Sequence, residues 1–184
     1  MVKRPSRLTR PRYTLPDDQS FTIKPIGVVH SPFQWRDEAP RQANVGEAHD
    51  AVIVLRSGLQ NALKDLIGFD YCWILFWFHW SHGWKQQIVP PRDTVKRGLF
   101  ATRSPDRPTP IGLSAVRLVA IDGPRITIRG MDILNGTPVL DIKPYIPAYD
   151  AFPKAKSGWV DGLTAPGPDH RYTVTGGKRK SPGG

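Results

Sequence analysis

The stretch Leu113–Met131, LSAVRLVAIDGPRITIRGM, decides the fold. Two strand-like apolar runs, Leu113–Ile121 and Arg125–Met131, flank Asp122-Gly123, a dipeptide suited to a tight hairpin turn. Working upstream, Tyr71–Trp80 is apolar at nearly every position and rich in aromatics, which predicts a strand buried on both faces. Trp73, Trp77, Trp80 and Trp84 also have helical spacing, but the length and aromatic density of the run favour a strand. Phe21–His30 alternates like a strand and stops at Ser31-Pro32. Ala48–Leu55, Arg97–Arg103 and Val139–Ile142 complete the set. One helix is expected from Ser57 to Gly68: Ser57 and Gln60 form a capping-box pattern, Leu59, Ala62, Leu63, Leu66 and Ile67 share a face, and Gly68 suits the stop. Many short strands, turn signals and one short helix predict a mainly β protein, an antiparallel β-barrel.

The 184 residues suit one domain with a sizeable core. No apolar run approaches the roughly 20 residues of a membrane span, and the basic N-terminus has no apolar segment behind it. Cys72, the single cysteine, cannot form an internal disulfide and lies in an apolar run, which points to the cytoplasm. The net charge of +10 is unevenly placed. Residues 1–13 hold five basic side chains and no acid, and residues 164–184 hold four against Asp169. The expected organisation is therefore a basic tail over 1–20, a barrel over 21–158 and a basic Pro/Gly-rich tail over 159–184, both tails flexible and suited to attracting phosphates.

The polar chemistry is concentrated in loops. Gly98–Ser114, GLFATRSPDRPTPIGLS, carries Arg103, Ser104, Asp106 and Arg107 within five residues, and prolines at 105, 108 and 110 stiffen the loop. Forked Arg donors on a stiff loop hold an anion or polar ligand in one geometry. Asp132-Ile-Leu-Asn135-Gly136 follows a strand and breaks into a sharp turn. Asp141, Lys143 and Tyr145 alternate along a strand and share one face. They suit either a structural ion pair with a capping Tyr or the lining of a pocket. His79 and His82 form an H-x-x-H pair without the further cluster a zinc site needs, so no metal is expected. No G-x-G-x-x-G follows a strand, and no strand–helix alternation supports a doubly wound sheet.

Seven pieces occur in one order: GVVHSP (27–32), PRQ (40–42), YCWILFWFH (71–79), GW (83–84), FATRS (100–104), RPTPIG (107–112) and GTPVLDIKPY (136–145). In these the chain resembles the TsaA-like family, also called YaeB-like or TrmO-like, in the short form that lacks a C-terminal domain. The resemblance implies a β-barrel enzyme that uses S-adenosylmethionine to methylate N6-threonylcarbamoyladenosine at position 37 of tRNA. A methyltransferase of another substrate, or a non-catalytic cofactor- or RNA-binding module, are the alternatives. A homodimer is also implied, with tRNA as the partner.

The same resemblance implies the site. Pro40, Arg41, Gln42, Phe78 and His79 build the cofactor pocket from two loops. Arg103, Leu113 and the run Asp132, Ile133, Leu134, Asn135 complete it. Either Arg41 or Arg103 would pair with the methionine carboxylate. Many relatives carry Asp-Gly where this chain has Asn135-Gly136, which leaves Asp132 as the carboxylate of that turn. Asp141 and Tyr145 are candidates to accept the proton from the reacting nitrogen. Arg107 and Lys143 are candidates to contact the substrate.

Overall fold

The computed structural model describes residues 20–43, 48–91 and 93–163. Of the expected tails over 1–20 and 159–184, residues 1–19 and 164–184 lie outside the described residues, while Gly158–Gly162 forms a 3-10 turn. Six strands close an antiparallel barrel: β1 (Gly27–His30), β2 (Asp50–Leu55), β3 (Tyr71–Trp77), β6 (Ile111–Asp122), β7 (Arg125–Arg129) and β8 (Pro138–Pro144), in the spatial order β1-β2-β7-β6-β3-β8 and back to β1. Two short strands, β4 (Gln87–Ile88) and β5 (Arg97–Gly98), form a separate ribbon within the long β3–β6 connection.

The core follows from alternation. Val29, Ile53, Cys72, Ile74, Val116, Ile126, Ile128 and Val139 point inward and are fully buried. Burying one such aliphatic side chain is worth about 1.5–3 kcal/mol, so these rows supply the main drive to close the barrel. Bulges between Leu75 and Phe76 and between Leu118 and Ala120 supply bends of the kind barrels place at their corners.

Several local expectations change. The β3 strand alternates rather than being buried on both faces: Cys72, Ile74 and Phe76 face the core, while Tyr71, Trp73, Leu75 and Trp77 face outward. Its outward aromatics are half-covered by neighbours, Trp73 lying 5.3 Å from the Tyr145 ring, which is why the sequence reads as apolar throughout. The strand ends at Trp77 instead of Trp80. Arg97–Arg103 is strand only at Arg97–Gly98 and then winds into a 3-10 turn, Leu99–Ala101. The hairpin turn falls one residue later, at Gly123-Pro124, because Asp122 pairs with Arg125 and Gly123 takes φ +54°.

The predicted helix over Ser57–Gly68 is instead two 3-10 turns, Gln60–Leu63 and Leu66–Gly68, separated by extended Lys64 and by Asp65 at φ +66°. The capping-box bond does not form; Gln60 Oε1 accepts from Gly58 N–H. Both ends of the segment are pinned, Arg56 N–H to the Ile26 carbonyl and the Asp70 carbonyl to Leu118 N–H. A helix rises only about 1.5 Å per residue, against about 3.3 Å for extended chain, so the extended break gives this connection reach. Among the described residues the α-helical turn is α1 (Pro147–Asp150). Among the described residues no helix is long and apolar enough to cross a membrane.

Candidate functional site

Antiparallel closure sorts the loops by rim. The connections β1–β2, β3–β6 and β7–β8 all leave from the same end of the barrel, and they contain residues 31–49, 78–110 and 130–137. Pro40, Arg41, Gln42, Phe78, His79, Arg103, Arg107 and the Asp132–Asn135 turn therefore gather at one rim although up to 95 residues separate them in sequence.

The centre of this rim is polar. Arg103 Nη1 donates to Gln42 Oε1 at 2.6 Å, and Gln42 Nε2 donates to the Arg41 carbonyl at 2.6 Å. Asp132 Oδ1 accepts from the Ser114 hydroxyl at 2.6 Å, and its carboxyl also accepts from the backbone N–H groups of Ala43 and of Asp132 itself. Burial pushes the Asp132 pKa above the ordinary carboxylate value. The Ser114 bond, those N–H groups and the Arg103 charge pull it back only in part. One cation, one enclosed carboxylate and one amide from three separate loops thus share a crevice.

Beside it, Asn135 is held by the β1 exit. Its Oδ1 accepts from Ser31 N–H at 3.2 Å and its Nδ2 donates to Gln34 Oε1 at 3.3 Å. Asn135 N–H donates to the Phe33 carbonyl and Gly136 N–H to the Val29 carbonyl. Gly136 takes φ +77°, a conformation that a side chain would strain. His79 Nδ1 lies 3.3 Å from the hydroxyl of buried Thr137. Burial holds the His79 pKa below its ordinary value, opposed by a hydrogen bond with the Trp77 backbone, which favours the neutral ring. Phe78 packs edge-on to Phe76 at 5.0 Å, and its N–H donates to the Pro110 carbonyl. Ile133 is buried and Leu134 packs on the core, so these two anchor the turn with their side chains.

Arg107 shares the rim but is engaged within its own loop, and the remaining expected residues lie elsewhere. Arg107 braces its own loop, Nη1 donating to the Thr102 and Ser104 carbonyls at 3.0 and 3.3 Å. Leu113 is 55% exposed on the outer face of β6, whereas Ser114 beside it points inward. Asp141 and Lys143 form an outward ion pair at 2.6 Å. Tyr145 packs on Tyr71 and Trp73, and its N–H reaches the Tyr71 carbonyl, at the opposite end of β3 from Phe78 and His79. Seven residues of strand separate those ends, roughly 23 Å.

Sequence reasoning passed over Ser114, Thr137 and the Ala43 N–H. Ser114 carries a readable signal: it is a lone hydroxyl in the inward row of β6, whose other inward side chains are apolar. Among the described residues no group of three or more His, Cys, Asp or Glu side chains could hold a metal ion.

Comparison with known proteins adds a framework to this geometry. Residues 28–151 match the model of the tRNA-methyltransferase O N-terminal domain. The chain is 38% identical over 138 residues to a probable S-adenosyl-L-methionine-binding protein of Pyrococcus abyssi, covering 75% of each. It is 35% identical over 159 residues to the tRNA (adenine(37)-N6)-methyltransferase of Escherichia coli, covering 79% of this chain and 66% of that one. Its fold superimposes on the crystal structure of TrmO from Pseudomonas aeruginosa with a TM-score of 0.68 at 34% identity, covering 79% of this chain and 65% of that chain. The chain thus spans about two thirds of the length of these two bacterial proteins.

Proposed function

We propose, because this chain belongs to the family of the tRNA-methyltransferase O N-terminal domain, that it is an S-adenosylmethionine-dependent methyltransferase acting on N6-threonylcarbamoyladenosine at position 37 of tRNA. The observation that carries this reading is the convergence of Gln42, Arg103 and Asp132 at one rim. The donor set fits the cofactor. Arg103 would pair with its carboxylate as a fork, Asp132 would accept from ribose hydroxyls, and the backbone of the Ile133–Asn135 turn would read the adenine edge. Phe78 would supply an apolar wall. A neutral His79 adds no positive charge beside a sulfonium.

When bound, the cofactor supplies a methyl group already activated by the sulfonium. The task left to the chain is alignment, and good positioning accounts for several orders of magnitude in rate. The accepting nitrogen is urea-like and must shed a proton during attack. Within one protomer, Asp132 is the enclosed carboxylate of the rim. Asp141 and Tyr145 act as proton acceptors only if a second copy brings its rim against the outer face of β3, β6 and β8. That face supports a homodimer: Tyr71, Ile111 and Leu113 are exposed on it, and a covering subunit would turn Leu113 into a pocket wall. Lys143, on the same face, would then meet the substrate from across the interface. The protein works in the cytoplasm on this reading, in keeping with its unpaired, buried cysteine.

The test uses tRNA purified from cells that lack this methylation. Incubation with the protein and S-adenosylmethionine, then digestion and mass spectrometry, should show threonylcarbamoyladenosine with one added methyl group. Stabilisation by adenosylhomocysteine without any methylated nucleoside would move the activity to another substrate. No stabilisation at saturating ligand would overturn the cofactor assignment.

A further inference from the structure

We infer that Phe100, backed by Arg107, is the platform on which a base flanking the target adenosine stacks in the tRNA anticodon loop. This inference rests on the tRNA reading above and deepens it. Phe100 is 81% exposed, the most exposed large apolar side chain in the described structure. Its position is nevertheless tightly held. Leu99 before it is buried, and Leu99 N–H donates to the Gln86 carbonyl at 2.9 Å. The Thr102 hydroxyl donates to the Leu99 carbonyl at 2.7 Å, and Trp159 Nε1 donates to the Ala101 carbonyl at 2.8 Å. A floppy loop tip tolerates an idle phenyl ring; a turn anchored from three sides presents one.

The ring is also paired on one side. The Arg107 guanidinium lies over it, 5.6 Å from the centroid, and is fixed there by the Thr102 and Ser104 carbonyls. Single-stranded RNA is recognised by seating unstacked bases on aromatic rings and guanidinium planes beside positive charge, and a rigid platform loses little entropy on binding. Phe100 precedes Arg103 by three residues, at most about 10 Å of chain. A base beside the one presented to the cofactor at this rim is thus within reach of Phe100. Arg107 sets positive charge against the ring, of the kind that an RNA backbone needs.

The experiment compares the full chain with Phe100→Ala and Phe100→Trp in binding and methylating unmethylated tRNA over a range of salt. Phe100→Ala should bind tRNA roughly 5- to 150-fold more weakly, the range for loss of one base–aromatic stack. Its salt dependence should match the wild type, since no phosphate contact is lost. Phe100→Trp should bind within a few-fold of wild type, and both variants should keep their thermal shift with adenosylhomocysteine and their mass by light scattering. Wild-type affinity for tRNA in Phe100→Ala would overturn the inference while leaving the enzymatic reading intact. A fall in molar mass accompanying the lost affinity would also overturn it and make Phe100 a subunit contact. If the wild-type chain neither binds nor methylates the tRNA, both readings fall together.

Discussion

Asp132 concentrates the chemistry of the rim in one side chain. Its carboxyl is enclosed, bonded to Ser114 and Ala43, and faces Arg103. Asp132→Asn preserves the shape and removes the charge, so adenosylhomocysteine binding should weaken by roughly 10- to 100-fold, the range for a charge-assisted hydrogen bond. Stability should move the other way. The folded carboxyl has its pKa raised above the reference 3.8, so its stabilising protonated form is complete below that value. The contribution is lost as pH rises through the folded value. Melting temperatures of wild type and Asp132→Asn should therefore differ least in acid, with the variant gaining on the wild type towards neutrality; a gap moving the opposite way would contradict the burial argument. Ser114→Ala should cost about 1–3 kcal/mol in unfolding free energy, because an enclosed carboxyl loses its donor. Denaturant titration measures that directly.

Among the elements, β3 and β6 hold the rim in place, and Gly112 of β6 leaves the room that the Phe76 ring of β3 occupies. A methyl group there would overlap the Phe76 ring, which in turn carries Phe78. Gly112→Ala should destabilise the fold by about 1–3 kcal/mol through overpacking. That corresponds to a melting temperature lower by on the order of 2–12 °C for a chain of this size. An unchanged melting temperature would mean that the strand yields more readily than its packing suggests. The strands were legible because each writes its buried row at every second residue. The Ser57–Gly68 helix was misread because its apolar spacing is local, whereas its conformation answers to two pinned ends and a left-handed Asp65. The double-sided apolarity of β3 misled for a similar reason: aromatic rings on the outer face cover one another, and sequence does not say which side of a sheet covers them. Candidate site residues stand out as types, since clustered Arg, Asp and Pro in a loop suit the holding of a polar ligand. Their convergence does not, because it depends on which loops share a rim. Nothing in the spacing of Tyr145 placed it at the far end of the barrel.

For the whole molecule, closure has a measurable kinetic sign. Cys72 is fully buried inside the barrel, and burial pushes its thiol up to about 11, so it is neither exposed nor ionised at neutral pH. A thiol reagent should label it only through global opening, at a rate that tracks unfolding measured by fluorescence; rapid labelling of the native protein would show the barrel breathing locally. The weakest line of that closure is where β1 meets β8, in register only at Gly27↔Val139 and Val28↔Pro138. The rim proposed to hold the cofactor sits at its end: Ser31 leaves β1, Asn135 and Gly136 lead into β8, and their hydrogen bonds tie the two together. A ligand lodged there works as a clasp on a bracelet, joining the first strand to the last. Amide hydrogens of Val29, Asn135 and Gly136 should then exchange more slowly with cofactor bound, while those of the β6–β7 hairpin at the opposite rim keep their pace. The molecule would thus record the filling of its site along the seam where its sheet closes on itself.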